Sequence, residues 1–350
     1  MSGRPPECAG EGPTVLVTGA TGFLGSNLAR RLLSHGARVR VLARSREKAK
    51  PLADRGAQVV AGDITDRDAV RAAVDGAEVV YHLAGRLFVP GVPAREYQRT
   101  HVEGTKLLLA CCGIGSRPLR LVHCSTTGVL GVTGDQPADE MAPISPTNIY
   151  EATKAEAEQA VRDMWPSGFP AVIARPGLVY GPGDLHLLPF FRAVLQRRFR
   201  PIGRREVWLH PIYIDDITDA LVQCGKHDSA VGECFHLAGR APVPLADLAS
   251  AIARAGGRRP PTGHIPLLAA QAVALVGDRL PSDLRRSYPL TRSRLDFLTH
   301  SRVYDVSKAE RMLDFEALTD LGTGAAMTLA WYREQGHLAN GAGRHATLER

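Results

Sequence analysis

The sequence has no apolar run long enough to cross a bilayer, and its cysteines and histidines form no metal-binding pattern. The apolar stretch 266–277 is far shorter than the ~20 residues that a spanning helix needs, so we expect no membrane span. Neither HExxH nor a ligand-spaced His/Cys cluster occurs, which predicts that no metal is bound. The six cysteines form no CxxC pair and no signal peptide precedes them, so we expect reduced thiols and a cytoplasmic location.

Lysine is also scarce. Six lysines occur in 350 residues, and the net charge of +7 therefore comes almost entirely from arginine. Basic character is compatible with a nucleic acid or an acidic membrane surface. No basic run is long enough to form such a patch, so we interpret the excess as a solvated arginine-rich surface and expect no nucleic-acid partner. The hydrophobic fraction of 44% is ordinary for a globular protein, and the length predicts about two domains.

A glycine-rich turn at 19–25 follows a short apolar run that starts at Thr14. The run predicts a buried strand and 26–35 predicts a helix, which is the context of a dinucleotide-binding fingerprint. Gly19 would allow the tight turn, Gly22 would let N–H groups approach a pyrophosphate, and Gly25 would let helix and strand pack closely. The helix N-terminus adds partial positive charge for the phosphates. The residues that we predict to bind this anionic cofactor, NAD or NADP, are Gly19, Thr21, Gly22, Phe23, Leu24 and Gly25.

The second strand, predicted over 37–43, ends without a carboxylate. An acidic residue there would bind the adenosine ribose and repel a 2′-phosphate, whereas an arginine would attract the phosphate. Arg44 follows the strand, which favours NADP over NAD; alternatively, Arg44 only stacks on adenine or faces water. Asp63 follows a third strand at 58–62, where ligands bind in open α/β sheets. Asp66 is interpreted as the N-cap of the next helix.

Strand and helix patterns alternate five times up to residue 124. This alternation predicts an α/β fold with a Rossmann-type doubly wound parallel sheet. Further strands are expected at 171–175 and at 210–216, the latter returning to the sheet. The predicted divisions are a disordered leader at 1–13, a dinucleotide-binding domain at 14–176 to which 210–240 returns, a smaller, mostly helical substrate-binding domain at 177–209 and 241–335, and a flexible tail at 336–350.

Two patterns of hydroxyl groups predict the chemistry. The hydroxyls at 125–127 follow the fifth strand, at the sheet edge where reactions occur in this architecture, although a hydroxyl-rich turn is the alternative. Tyr150 and Lys154 lie four residues apart on a predicted helix and so share a face. An ammonium beside the phenol would lower its pKa and suit it to general acid/base catalysis. Tyr304 and Lys308 repeat the spacing without a hydroxyl cluster upstream, so we interpret that copy as non-functional.

These motifs, in this order, resemble the extended short-chain dehydrogenase/reductase family. The resemblance covers about residues 15–332, and 295–315 is similar to the branch of 3β-hydroxysteroid dehydrogenases and dihydroflavonol reductases. The segments that carry it are TGATGFLG at 18–25, GDITD at 62–66, HLAG at 82–85, the Tyr150/Lys154 pair, ARPGLVYGPGD at 174–184 and HPIYIDDITDAL at 210–221.

The resemblance implies a role for each matching residue. Tyr150 would give and take the proton, Lys154 would hold the nicotinamide ribose and lower the tyrosine pKa, and Thr126 would hydrogen-bond the substrate oxygen. Ser125 is the alternative to Thr126. The implied cofactor contacts are Asp63 and Ile64 with adenine, Leu83, Ala84 and Gly85 with the cofactor backbone, and Pro176 to Val179 with nicotinamide. A homodimer through the helices that follow strands four and five is also implied.

Two departures from the family pattern bear on the reaction. His101 stands where the family usually has an asparagine that supports the active-site water. Because histidine titrates near neutrality, His101 could replace that asparagine in a proton relay, but a merely structural role is equally compatible. Sugar-nucleotide 4,6-dehydratases place an Asp-Glu pair after the catalytic threonine. This chain has Thr127-Gly128 there, which supplies no acid for eliminating water.

The C-terminal half gives weaker signals. Its apolar stretches 265–276 and 284–298 predict a lid over a fairly apolar pocket, and therefore a fairly apolar small-molecule substrate. An arginine cluster could clamp a diphosphate or a carboxylate, or could equally be a solvated rim. Its members are Arg197, Arg198, Arg200, Arg204 and Arg205.

The expected function is an NAD(P)-dependent oxidoreductase that interconverts a carbonyl and a secondary alcohol by hydride transfer, with Tyr150 as general acid/base. One alternative is a nucleotide-sugar epimerase that keeps NAD tightly bound. A second alternative is a cofactor-sensing binding protein without catalysis, which the intact Tyr150/Lys154 pair disfavours.

Overall fold

A seven-stranded parallel sheet forms the centre of the computed structural model, which describes residues 12–113, 119–280, 288 and 290–339. The strands in sheet order, numbered along the chain, are β11 (Cys234–Leu237), β7 (Ala171–Pro176), β5 (Arg120–Cys124), β4 (Val79–His82), β1 (Thr14–Thr18), β2 (Arg38–Ala43) and β3 (Gln58–Ala61). The chain builds outward from β1 to β3 on one side and from β4 to β11 on the other. The order reverses between β1 and β4, where ligands bind in such sheets. The predicted doubly wound fold is confirmed.

Helices cover both faces of the sheet and make up most of the C-terminal part. They are α1 (Phe23–Ser34), α2 (Arg46–Ala53), α3 (Arg67–Val74), α4 (Ala94–Tyr97), α5 (Gly104–Cys112), α6 (Ile149–Arg162), α7 (Leu188–Leu195), α8 (Ile214–Lys226), α9 (Leu245–Ala255), α10 (Leu267–Arg279), α11 (Arg292–Thr299), α12 (Ser307–Leu313) and α13 (Leu321–Glu334). Side-chain caps explain several of the starts. Asp66 caps α3, as the sequence predicts, and Asn148 caps α6.

Alternating side chains of β1 face two separate apolar layers. Val15 and Val17 pack with Leu28 of α1 and Leu221 of α8, whereas Leu16 packs into the other layer, which includes α3, α5 and α6. Both layers are fully buried, which is why the strands are apolar on both faces. The layers hold β1 and its glycine turn rigidly.

The second part of the predicted sheet differs from the observed one. Residues 211–213 do not return to the main sheet but form β10 (Pro211–Tyr213), which pairs with β8 (Leu178–Tyr180) in a two-stranded sheet. The seventh strand is instead β11, at 234–237, where the short run is buried throughout and carries no strand-like alternation. Two further pairs join β9 (Trp208–Leu209) to β12 (Val243–Pro244) and β6 (Gly134–Ala138) to β13 (Arg302–Tyr304).

The single helix that the sequence predicts over 97–112 is divided. A π-helical turn, Gln98–Glu103, separates α4 from α5 and contains His101. Residues 1–11 of the expected leader, 340–350 of the expected tail and 281–287 and 289 around the expected lid lie outside the described residues. In the part of the chain that the structure covers, no helix combines the length and apolarity needed to cross a membrane.

Candidate active site

The glycine turn has the geometry of a phosphate cradle. Gly19 has a φ of +70°, and a Cβ there would meet the carbonyl oxygen of Leu83 at 2.5 Å. A Cβ on Gly25 would meet the carbonyl oxygen of Gly19 at 2.3 Å, so the helix packs directly on the turn. Gly22 is the N-cap of α1 and offers no side-chain cap, and the first turn holds no acidic residue. The first-turn N–H groups, including those of Phe23 and Leu24, are therefore available to a phosphate.

The second cofactor-binding segment predicted from the sequence, 83–85, lies against this turn. Leu83 contacts Gly19 as described above, and the N–H of Ala84 donates to Thr18 Oγ1 at 3.2 Å. Gly85 borders His101, whose Nε2 would lie 3.4 Å from a Cβ at that position. The turn and the end of β4 therefore form one concave wall at the point where the strand order reverses. These residues fit a nicotinamide dinucleotide: a backbone cradle for its diphosphate, with the small residues Ala84 and Gly85 beside it.

A buried chain of hydrogen bonds supports this wall, and the sequence analysis missed it. Thr18 Oγ1 donates to His82 Nδ1 at 2.8 Å, and His82 Nε2 donates to Thr105 Oγ1 at 2.9 Å. Thr105 Oγ1 in turn donates to the carbonyl oxygen of His101. These directions are assigned from the partners: the one hydroxyl proton of Thr105 goes to the carbonyl oxygen of His101, so His82 donates from Nε2 and accepts on Nδ1. Polar residues in otherwise apolar strands were the signal that could have identified the chain.

Arg44 and Asp63 extend from the ends of neighbouring strands. Arg44 Nη1 lies 3.8 Å from Asp63 Oδ2, and its side chain is 77% exposed. Burial pushes the pKa of Asp63 up, but hydrogen bonds from Thr65 and the charges of Arg44 and Arg99 outweigh burial and lower it. Asp63 is therefore an ionised acceptor where the adenosine half of a dinucleotide would lie. Ile64, in contrast, is 6% exposed and packs on Gly104, so its side chain belongs to the core.

The structure brings Thr126 and Tyr150 together. Thr126 follows β5, is half-buried, and accepts a hydrogen bond from the N–H of Gly128 at 3.1 Å. Its hydroxyl also interacts with the phenol of Tyr150. Ser125 is 4% exposed and lies on the Glu158 side of the strand end. Thr126 is thus better placed than Ser125 to touch a substrate beside Tyr150.

Lys154 is buried on the same helix, one turn after Tyr150. Its Nζ donates to the carbonyl oxygen of Cys124 at 2.5 Å. The pKa of Tyr150 is raised, chiefly by burial and further by Cys124, while the hydrogen bond with Thr126 opposes the rise. This direction is opposite to the one predicted from the four-residue spacing, because burial of the phenol dominates and the Lys154 ammonium bonds the carbonyl oxygen of Cys124. Burial also lowers the pKa of Lys154.

His101 connects three parts of the site. Its Nε2 accepts the N–H of Arg86 at 3.0 Å, so the proton of the neutral ring lies on Nδ1, which donates to Thr153 Oγ1 at 2.8 Å. The ring meets that of Tyr150 edge to face, with centroids 5.6 Å apart. Burial, and then the charge of Lys154, lower the pKa of His101 to about 3. His101 therefore does not titrate near neutrality, which favours the structural alternative over the proton relay.

A buried ion pair holds α6 against the sheet. Arg175 of β7 donates through Nη2 and Nε to the carboxylate of Glu158, at 2.6 Å and 3.0 Å. Both side chains are almost completely buried, at 1% and 2% exposed. Burial raises the pKa of Glu158, but the Arg175 hydrogen bond and charge outweigh it, so the pKa is lowered. Glu158 lies one turn beyond Lys154 and fixes the helix that carries both candidate catalytic side chains.

The remaining predicted residues lie at the end of β7 and in β8. The carbonyl oxygen of Pro176 accepts from Thr127 Oγ1 at 3.1 Å, next to Thr126. Val179 is half-buried in β8. In the described ranges, no group of three or more His, Cys, Asp or Glu side chains is arranged to hold a metal ion.

Comparisons with known proteins agree with this geometry. Residues 15–238 match the NAD dependent epimerase/dehydratase family. A 4-hydroxy-2-methyl-3-oxo-4-farnesyl-3,4-dihydroquinoline-1-oxide ketoreductase of Stigmatella aurantiaca is 30% identical over 94% of this chain and 98% of its own length. A 3β-hydroxysteroid dehydrogenase/Δ5→4-isomerase of Mycobacterium tuberculosis is 28% identical, over 91% of this chain and 90% of its own.

A solved structure, described as that of gox2253, covers 93% of this chain and 99% of its own with a TM-score of 0.75 and 28% identity. The resemblance to extended short-chain dehydrogenases/reductases is confirmed by these matches. The chain belongs to the NAD dependent epimerase/dehydratase family and is an NAD(P)-dependent oxidoreductase.

Proposed function

We propose that this protein reduces a ketone that carries a large apolar substituent, with Tyr150 as the proton donor. The observation that carries the proposal is the pairing of the Thr126 and Tyr150 hydroxyls at the end of β5. Two donors that converge on one point can bind and protonate a single carbonyl oxygen. The reductase and dehydrogenase names of the relatives favour this oxidoreductase chemistry over the cofactor-sensing alternative.

Each group at the site has a separate role in the proposed reduction. The bound cofactor supplies the hydride. The first-turn N–H groups of α1 would hold its diphosphate, and Lys154 would bind the nicotinamide ribose, as the family resemblance implies. Thr126 donates a hydrogen bond to the substrate oxygen and Tyr150 transfers its proton to that oxygen. Because burial raises the pKa of Tyr150, the phenol is protonated at neutral pH and carries the proton that the reduction needs.

The apolar character of the substrate is supported by the two relatives. One is named for a farnesyl-bearing quinoline oxide and the other for a steroid. The test is a spectrophotometric screen of NADPH and NADH oxidation against long-chain ketones, β-keto acids, steroids and nucleotide sugars. We expect turnover of an apolar ketone with freely exchanging cofactor. Purified protein that retains stoichiometric NAD and acts only on nucleotide sugars would establish the epimerase instead.

We further propose a preference for NADP over NAD, supported by Arg44 at the end of β2 and the absence of a carboxylate there. Arg44→Ala should lower kcat/KM for NADPH at least tenfold and leave that for NADH nearly unchanged, because a guanidinium–phosphate hydrogen bond contributes about 1.5–3 kcal/mol. Arg38→Ala is the matched control, since Arg38 is an exposed arginine at the opposite end of the same strand. Equal losses with both cofactors would overturn the preference.

We also propose a cytoplasmic location and a homodimer. The five cysteines within the described residues are free thiols, which supports a reducing compartment such as the cytoplasm. A homodimer through α5 and α6 rests on the family resemblance. Light scattering on the eluting protein, with Lys106→Glu on the exposed side of α5 as the disrupting variant, tests it.

A further inference from the structure

Helix α10 buries small side chains and exposes large apolar ones, whereas an ordinary surface helix buries its large apolar side chains. Its buried face consists of the small residues Ala270, Ala274 and Gly277. Its large apolar side chains point outward: Leu268 is 80% exposed and Val276 54%. With Leu275, these residues follow the i, i+7, i+8 spacing that places them on one face of a helix. An outward apolar stripe of this kind marks a surface that binds a partner.

An arginine-rich rim adjoins the N-terminal end of this helix, assembled from two distant segments. Residues 200–205 run beside 262–265, with Ile202 bridged to Ile265 and Arg200 donating to the carbonyl oxygen of Thr262 at 2.5 Å. Residues 197–198 and 258–259 follow the ends of α7 and α9, which touch where Leu195 meets Gly256. The exposed arginines of this rim are Arg197, Arg198, Arg200, Arg204, Arg205, Arg258 and Arg259.

Carboxylates around the rim are few, and the exposed Glu206 directly follows Arg205. Neither 197–205 nor 256–268 includes an aspartate or a glutamate, and the ion pair that the structure shows within the rim joins Arg205 to Asp135 at 2.8 Å. The apolar stripe and the rim are consecutive along the chain, since Pro266 joins 262–265 to α10. The apolar stripe and the arginine rim are therefore neighbouring exposed surfaces, and we refer to them together as the docking face.

We propose that this face docks on an anionic lipid bilayer. Interfacial helices bury an apolar face at the headgroup boundary while neighbouring basic side chains bind anionic headgroups. The 13 residues of α10 are too few to span a bilayer but suit a helix that lies in its plane. A second copy of the chain fits less well, because pairing the face with itself would bring two arginine rims of like charge together.

The proposal is tested by co-sedimentation of the full chain with vesicles of phosphatidylcholine alone and with 30% phosphatidylglycerol. We expect binding to the anionic vesicles that weakens as salt is raised, and much weaker binding to the neutral ones. Leu268→Asp with Val276→Asp should lower the partition coefficient at least tenfold. Arg258→Gln with Arg259→Gln should lower it about tenfold or more on anionic vesicles alone.

Matched controls use equally exposed residues elsewhere. Leu318 is 81% exposed, so Leu318→Asp controls for the added charge, and Arg38→Gln with Arg55→Gln controls for lost arginines. These controls should bind vesicles like the wild type. NADPH affinity and thermal unfolding, measured on every variant, establish that it is folded. Wild-type affinity in the Leu268/Val276 variant, or equal loss in the controls, would overturn the proposal.

Two further measurements distinguish insertion of the stripe into the membrane from association of two copies of the chain. In a Cys8→Ser background, Leu268→Cys carries an environment-sensitive dye, since the five described native cysteines are buried. Its emission should shift to the blue on anionic vesicles; no shift would contradict insertion of the stripe. Sedimentation velocity without lipid is the second measurement. If Leu268→Asp with Val276→Asp converts a larger species into a smaller one, the face joins two copies of the chain and the membrane proposal is wrong.

Discussion

The chain contains the Tyr-x-x-x-Lys spacing twice, and the two copies differ in whether the tyrosine and the lysine share a helix. Tyr150 and Lys154 share α6, so their side chains lie on one face. Tyr304 belongs to β13 and Lys308 to α12, so the same spacing crosses from a strand to a helix. Lys308 bonds Glu233 at 2.7 Å and lies over the ring of Phe235. Four-residue spacing therefore has a chemical meaning only on a continuous helix.

Each tyrosine also contacts a histidine, and the two histidines are opposite tautomers. His101, as described, carries its proton on Nδ1. His210 donates from Nε2 to the carbonyl oxygen of Gly239 at 2.7 Å and accepts the N–H of Tyr304 on Nδ1. His210 stacks on Tyr304 with centroids 6.2 Å apart, whereas His101 meets Tyr150 edge to face. The edge contact leaves the phenol oxygen of Tyr150 free to approach Thr126, while Tyr304 is 5% exposed and serves the core.

The largest difference between the copies should appear when each phenol is removed. Tyr150→Phe should lower kcat about 10²–10⁴-fold, because the proton donor is lost. Tyr304→Phe should leave kcat unchanged and lower the free energy of unfolding by about 1 kcal/mol, because its hydroxyl bonds Thr127 within the core. Both values come from the ketone-reduction assay and urea unfolding. Retained NADPH affinity in Tyr150→Phe shows that the loss is chemical, and full turnover in that variant would refute the assignment.

Each copy has an ion pair near it, Glu158–Arg175 for the first and Glu233–Lys308 for the second. Breaking these pairs should give the next largest difference, in the free energy of unfolding. Glu158→Gln should lower the free energy of unfolding by about 3–5 kcal/mol, because it leaves the buried Arg175 guanidinium without its charged partner. Glu233→Gln breaks the partly exposed pair with Lys308 and should cost at most about 1 kcal/mol. Urea unfolding at pH 7.5 measures both. Similar losses of unfolding free energy in the two variants would show that burial does not make the Glu158–Arg175 pair more important for stability than the Glu233–Lys308 pair.

The sequence predicts the first half of the molecule well because its signals are local there. The glycine turn, the strand ends at Arg44 and Asp63 and the helix of Tyr150 each depend on a few neighbouring residues. The direction of the Tyr150 pKa shift was not predictable, because it depends on burial, which spacing alone does not reveal. The arginine cluster at 197–205 is evident from the sequence, but its extension by Arg258 and Arg259 is not, because 197–205 and 258–259 are adjacent only after folding. Likewise, the strand β11 carries no alternation that distinguishes it from a buried helical segment.

The smallest expected effect concerns the two histidines and pH. Because burial lowers the pKa of His101 from 6.5 to about 3, the unfolded chain binds its proton between these values and the folded chain does not. The contribution of His101 to stability is thus complete above pH 6.5 and is lost as the pH falls towards 3. Between pH 7.5 and 5 this loss amounts to ~2 kcal/mol. His101→Asn should remove that part of the decline in urea unfolding.

His210, whose pKa is also lowered by burial, provides the comparison. His210→Asn should reduce the acid-induced loss of stability in the same direction, since the sign depends on burial and not on the tautomer. The two variants separate in the ketone-reduction assay instead. His101→Asn disturbs the contacts to Arg86 and Thr153 beside Tyr150 and should change kcat, while His210→Asn should not. If the pH dependence of stability is unchanged in His101→Asn, the histidine is not buried and neutral, and the preference for its structural role over a proton relay loses its basis.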